Sequence, residues 1–281
     1  MRFTKMHGIG NDYVFINCFE EMVSDPSCLA IQMSQPHFGV GSDGLVLIEP
    51  SDVADFAMRI FNADGSEAEM CGNATRCIGK YVFERGMTDK KEITLETKGG
   101  IRTLWLTTDG RKVSRIKVDM GSPELRPGNM PVNLPGDTVI QHQLHLLGQD
   151  WLITCVNMGN PHCVVFVNDP EMIDIKSVGP VFENHSLFPR RTNVEFVRVV
   201  RRDVLQMRVW ERGAGETLAC GTGASAALVA GVLTGQCDRT VQVKLLGGNL
   251  ELCWNEKDNH VYQSGPAEYV FDGEWFEQMG I

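Results

Sequence analysis

The stretch MRVWERGAGETLACGTG, residues 207–223, lies over MRIFNADGSEAEMCGNA, residues 58–74, when Cys220 is set on Cys71, an offset of 149. Met58-Arg59 then meets Met207-Arg208, Glu67 meets Glu216, and Cys71-Gly72 meets Cys220-Gly221. Gly10-Asn11 falls on Gly159-Asn160 at the same offset, and an apolar run follows each pair, YVFI and CVVFV. Gly99-Gly100 falls on Gly247-Gly248 at an offset of 148, and ITLETK and VQVKLL before them both read as strands. Three ordered matches at nearly one offset mark a chain written twice.

Runs such as GLVLIE, FAMRIF, RTLWLTT, SRIKVDM, VEFVRVV, LQMRVW and LELCW alternate or stay apolar over strand lengths. The clearest helical patterns are NATRCIGKYVFERG and GTGASAALVAGVLTG, each starting after a Cys-Gly pair and ending near a glycine. The strand-helix alternation of a nucleotide-binding α/β fold is absent. The expected class is α+β: two pseudo-symmetric domains, each a mostly antiparallel or mixed sheet curled around a main helix, with the active site in the cleft between them. Residues 1–120 form the first domain, completed by 265–281, and residues 121–264 the second. The Pro/Gly-rich stretch GSPELRPGNMPVNLPGD, 121–137, reads as the connection.

The net charge of −10 argues against non-specific nucleic-acid or membrane binding. MRFTKMHGIGND carries no apolar signal segment and no run is long enough to span a bilayer, so a cytoplasmic protein is expected. The nine cysteines are then reduced, and no two stand as C-x-x-C, which disfavours a zinc site or a thioredoxin-like pair. Most read as small buried hydrophobes, including Cys77, whose counterpart is Ala226. Gln141-His142-Gln143-Leu144-His145 reads as a solvated strand or loop, not a metal site, and His7 as a residue that orients its loop.

Cys71 and Cys220 differ from the rest, because each stands at a helix start. There, unpaired N–H groups and the positive end of the helix dipole favour a thiolate and seat a carboxylate. Gly72 and Gly221 let a ligand approach the backbone closely. Two thiols facing one ligand suit inversion of a stereocentre: one removes the α-proton, the other returns a proton to the opposite face.

At these residues the chain resembles the diaminopimelate epimerase family over nearly its full length. The resemblance is carried by KMHGIGNDY (5–13), GVGSDG (39–44), FNADGSEAEMCGN (61–73), MGNPHCV (158–164), RTNVEF (191–196) and ERGAGETLACGTGA (211–224). It implies that Cys71 and Cys220 are the acid/base pair and that His162 and Glu211 tune them. The substrate α-carboxylate would sit on backbone amides around Gly72-Asn73 and Gly221-Thr222. Asn62, Asn160, Asn193 and Arg212 would reach the distal carboxylate and Glu211 the distal ammonium, with Asn11 lining the pocket. The residue types suit these roles, with amides and a guanidinium fork for a carboxylate and an acid for an ammonium. The resemblance also implies a homodimer acting on a small molecule with neither metal nor pyridoxal phosphate. Many members carry Gln where Gly44 stands, so the first half lacks a side chain that its counterpart Asn193 has; where Ala74 stands, Gly is common.

Three other readings compete. A two-thiol racemase of proline or hydroxyproline would leave the distal set of Asn62, Asn160, Asn193, Glu211 and Arg212 unpaired. A non-catalytic amino-acid-binding protein needs no thiol at either helix start. A thiol-disulfide enzyme would carry a close cysteine pair.

Overall fold

The computed structural model describes residues 1–276. In chain order the elements are β1 (Arg2–Gly8), β2 (Asn11–Asn17), α1 (Pro26–Ser34), β3 (Gly44–Glu49), β4 (Phe56–Asn62), β5 (Glu67–Ala68), α2 (Gly72–Glu84), β6 (Glu92–Thr97), β7 (Gly100–Asp109) and β8 (Lys112–Asp119). There follow β9 (His142–Leu146), β10 (Gln149–Asn157), β11 (Pro161–Phe166), α3 (Ile175–Glu183), β12 (Asn193–Arg201), β13 (Val204–Glu211), β14 (Gly215–Thr217), α4 (Gly221–Leu233), β15 (Thr240–Leu245), β16 (Gly248–Trp254), β17 (Val261–Gly265) and β18 (Glu268–Glu274). The described residues form two compact units, one of residues 1–118 with 265–276 and one of residues 119–264. Residues 277–281 of the C-terminal return expected from the sequence lie outside the described residues.

In the first unit the sheet runs β18-β1-β2-β3-β4-β6-β7-β8, with β2–β3 and β4–β6 parallel and the other neighbours antiparallel. In the second it runs β9-β10-β11-β12-β13-β15-β16-β17, with β11–β12 and β13–β15 parallel. The pattern of parallel and antiparallel neighbours is the same in both. The fold is α+β with mixed sheets.

Parallel neighbours cannot be joined by a tight turn and need a crossover. This demand accounts for the four α-helices among the described residues. α1 connects β2 to β3 and α3 connects β11 to β12, while α2 lies between β4 and its parallel partner β6, and α4 between β13 and β15. The sequence pattern shows one main helix in each half; α1 and α3 are additional. Each covers its own apolar cluster. Leu29, Ala30 and Met33 of α1 pack with Phe3, Ile16, Leu47 and Phe61. Ile175 and Phe182 of α3 pack with Trp151 and Phe196; the rings of Phe182, Trp151 and Phe196 meet edge to face at 5.4–6.1 Å.

The central helices are wrapped by their sheets. Gly72–Phe83 of α2 is buried without interruption, as is Gly221–Gly231 of α4. A helix apolar all round, such as GASAALVAG, is stable only when buried. Both helices end alike. Gly86 (φ +75°) donates to Phe83 O, and Gly235 (φ +71°) donates to Val232 O. Glycine takes this left-handed step freely, so both chains leave the helix in the same direction.

The duplicated arginines and glutamates brace equivalent hairpins. Arg59 Nε meets Glu67 Oε1 at 2.8 Å across β4–β5, and Arg208 Nε meets Glu216 Oε1 at 2.7 Å across β13–β14. The 121–137 stretch is not a free connector. It lies wholly in the second unit, and Met130 and Val132 are buried in that unit's core.

Candidate active site

Each unit carries one thiol at the start of its central helix. Cys71 caps α2 in extended conformation (φ −138°, ψ 116°) with no side-chain cap bond. Its Sγ donates to Asn11 Oδ1 at 3.4 Å and accepts from the Tyr13 hydroxyl at 3.7 Å. Asn73 Nδ2 donates to the same Asn11 oxygen at 3.0 Å, and Asn11 Nδ2 donates to Asp43 Oδ2 at 2.6 Å. Asn11, Gly72, Asn73 and Cys71 therefore form one cluster. The β1–β2 hairpin holds it at a cost. Ile9 (φ +50°) and Gly10 (φ +87°) both turn left-handed, and the Gly10 N–H is tied to His7 Nδ1 at 3.2 Å. A β-branched residue in that region is strained by about 1–3 kcal/mol, and the turn sets the position of Asn11.

Cys220 caps α4 and is 5% exposed. Its Sγ accepts from Gly223 N at 3.4 Å and lies 3.5 Å from Thr222 Oγ1. Burial pushes this thiol well above its ordinary range, and the charges of Glu211 and Glu195 push it the same way. Glu211 accepts from Thr217 Oγ1. Behind Cys220 stands a fully buried pair: His162 Nδ1 meets Glu195 Oε1 at 2.6 Å, and His162 Nε2 meets Asn160 Oδ1 at 2.9 Å. Gly223 makes room for it, since a Cβ there would come 2.7 Å from Glu195 Oε1 and 3.2 Å from Cys220 Sγ.

The distal set is placed less uniformly. Asn193 is buried, donating to Pro161 O at 2.7 Å and accepting from Arg212 N at 3.0 Å. It thus shapes the Glu211-Arg212 turn, with one amide proton and one lone pair left over. The exposed Arg212 guanidinium bonds Arg190 O at 3.3 Å. Asn62 closes a turn, its Nδ2 donating to Ser66 Oγ at 3.0 Å, and it pairs with Gly44 across β3–β4.

Gly44 has a structural reason. A Cβ at this position would stand 2.1 Å from the Phe61 carbonyl oxygen and 3.1 Å from the Tyr13 ring. Gly44→Gln is expected to cost about 1–3 kcal/mol by overpacking, read as a lower denaturation midpoint. An unchanged midpoint would show that β3 shifts freely.

Tyr13, Glu195, Asp43 and Arg76 also belong to these clusters, and no sequence pattern singled them out. One signal was available: at the 149 offset Tyr13 falls on His162. His145 pairs with Asp150 at 2.8 Å on the β9–β10 hairpin. Among the described residues no group of three or more His, Cys, Asp or Glu could hold a metal, and no helix is long and apolar enough to cross a membrane.

The surroundings of Cys220 predict a pH effect. A buried thiol beside two acids stays protonated at neutral pH. Glu211→Gln removes one of those anions, so the thiolate should form at lower pH. The pH midpoint for iodoacetamide labelling of Cys220 is expected to fall. An unmoved midpoint would mean that Glu211 has no part in setting it.

The fold is shared with solved enzymes of low sequence identity. A probable proline racemase from Agrobacterium radiobacter superposes with a TM-score of 0.73 at 13% identity, covering 99% of this chain and 93% of its own. A hydroxyproline epimerase from Agrobacterium vitis does so with a TM-score of 0.71 at 13% identity, covering 97% and 91%. At these identities the likeness is one of fold. The family model for diaminopimelate epimerase matches residues 3–126 and 154–270. The diaminopimelate epimerase of Acetivibrio thermocellus is 58% identical over 98% of both chains, and that of Methanococcus maripaludis is 53% identical over 98% of this chain and 99% of its own. The chain belongs to the diaminopimelate epimerase family.

Proposed function

We propose that the chain interconverts LL-2,6-diaminopimelate and meso-2,6-diaminopimelate by proton transfer between two thiols and one α-carbon, a step in lysine biosynthesis. The observation that carries this reading is a thiol at the N-cap of both central helices in a duplicated chain. One thiolate takes the α-proton: the Cα–H bond breaks, an S–H bond forms, and the electron pair spreads into the carboxylate. The other thiol then gives its proton to the opposite face. The two cysteines end with their protonation states exchanged, so the reverse reaction uses them in the opposite order.

The carboxylate gains charge as the proton leaves. Backbone amides around Gly72-Asn73 and Gly221-Thr222, at the positive ends of α2 and α4, are suited to hold it. Asn62, Asn160, Asn193 and Arg212 would bind the distal carboxylate and Glu211 the distal ammonium, with Asn11 beside the reacting carbon. The adjacent acid and guanidinium at Glu211-Arg212 support a substrate with two amino-acid ends over proline. His162 acts on Cys220 through Glu195. The half-domains 1–120 with 265–281 and 121–264 each contribute one thiol, and both thiols must address the same carbon. The helix-start amides stabilise the charge that an electron sink would otherwise take, so neither metal nor pyridoxal phosphate is needed. A cytoplasmic homodimer completes the proposal, on the family likeness.

The test is α-hydrogen exchange into deuterium oxide on both diaminopimelate isomers and on free proline, with reductant and without pyridoxal phosphate. Exchange with inversion of diaminopimelate alone is the expected result. Turnover of proline with none of diaminopimelate would overturn the substrate assignment, and a requirement for pyridoxal phosphate the mechanism.

A further inference from the structure

The two central helices differ inside. At the 149 offset Arg76 of α2 falls on Ser225 of α4, and Lys80 falls on Val229. Lys80 is held by Glu268 at 3.4 Å and Glu84 at 3.6 Å. Arg76 is the largest fully buried side chain among the described residues, at 0% exposure. Helical side chains lean toward the N-terminus of their helix, so Arg76 covers the turn before it. Its guanidinium donates to Gly72 O at 3.4 Å, to Asn73 Oδ1 at 2.7 Å and to Pro266 O at 3.1 Å.

These bonds end at the thiol. Arg76 occupies Asn73 Oδ1, which turns Asn73 Nδ2 toward Asn11 Oδ1, the oxygen that also receives the Cys71 thiol. Asn11 in turn is anchored on Asp43. We propose that Arg76 is a positioning residue for Cys71: it fixes the Asn73-Asn11 cradle and sets a permanent positive charge behind the thiol that favours the thiolate. This rests on the reading of Cys71 as an acid/base group.

The charges around Cys71 need such a cation. β2 presents the Tyr13 phenol, and the segment before β3 presents Asp43, whose carboxyl is pushed up by burial. β1 brings His7, tied to Gly10 N, and Lys5, which is paired with Asp12 at 2.8 Å. β7 meets α2 through Leu104 and Leu106. Cys77, on α2 itself, is pushed up to about 12 by burial and stays a thiol. An anion at Asp43 opposes a thiolate at Cys71, and Arg76 offsets it. Burial draws the Arg76 guanidinium down to about 10, with Cys77 and Cys71 pulling it back up, so it stays charged at neutral pH. In α4 no arginine stands at this position, and Glu211 and Glu195 both oppose a thiolate at Cys220.

The test is the pH profile of iodoacetamide labelling at Cys71, read on its peptide by mass spectrometry. The full-length chain is compared with Arg76→Met, Arg76→Gln and Arg76→Lys. Loss of the charge is expected to raise the midpoint by about one pH unit or more. Lysine, which keeps the charge without the planar fork, should restore most of the shift. A folded Met variant with an unmoved midpoint overturns the inference. If Met does not fold, Gln, which can still donate to Asn73, decides in the same way. Either result stands apart from the proposed reaction, because labelling needs no substrate. Failure of α-hydrogen exchange would overturn the epimerase reading and leave the role of Arg76 at the thiol to this profile.

Discussion

Cys71→Ala and Cys220→Ala should each lower the rate of inversion by about 10²–10⁴-fold, the usual loss when a positioned acid or base is removed. The two variants should differ in what they retain. A lone thiol can still remove a proton and return it on its own face. Each variant is therefore expected to exchange α-hydrogen from one stereoisomer without inverting it, and the favoured isomer should be opposite in the two. Proton NMR in deuterium oxide reads both quantities. Neither change should threaten the fold. Cys71 makes no cap bond and loses only long contacts to Asn11 and Tyr13, and Cys220 loses its contact to Thr222 and its bond to Gly223, a cap worth about 1 kcal/mol. Inversion at the unaltered rate in either variant would rule out the two-base scheme.

Glu195→Ala should be the most damaging single change to stability, at about 3–5 kcal/mol. His162 and Glu195 have no exposed side-chain surface, and their 2.6 Å contact is sealed beneath the start of α4. Removing the carboxylate leaves the imidazole buried against Asn160 alone and opens a cavity beside Gly223. The double change His162→Leu with Glu195→Leu should cost less than the two singles together, because neither buried polar group is then left without its partner. Denaturant unfolding of all variants checks this. Additive losses would mean that the pair is two independent packing residues.

The fold class was legible because the repeat was legible. The Cys-Gly pairs marked both central helices, and alternating runs marked most strands. α1 and α3 were not read, for different reasons. Pro180 interrupts the helical pattern of IKSVGPVFE, and a nine-residue helix gives little periodicity. α1 had a usable signal in Asp25-Pro26: the aspartate side chain caps Cys28 N at 3.0 Å and the proline takes the first helical position. At the site, thiols, glycines and asparagines stood out as chemistry-bearing residues in glycine-rich turns. Tyr13 and Glu195 were hidden inside strand runs, where a polar side chain reads as part of an alternation. Arg76 was hidden by its residue type, since a helical arginine reads as solvent-facing until burial is known. Gly44 read as a missing ligand. Its meaning depends on how closely β3 passes Phe61, a distance no local pattern carries.

The placing of β18 has a consequence for how the protein is made. β18 pairs with β1, the first strand, yet it leaves the ribosome after every element of the second unit. Residues 119–264 are contiguous and can fold as they emerge, whereas β1 keeps an open edge until β18 has been made. An unpaired edge is a template for pairing with another chain. Nascent chains that stall before β18 are thus the species most exposed to aggregation, and the half of the protein that is synthesised first is completed last.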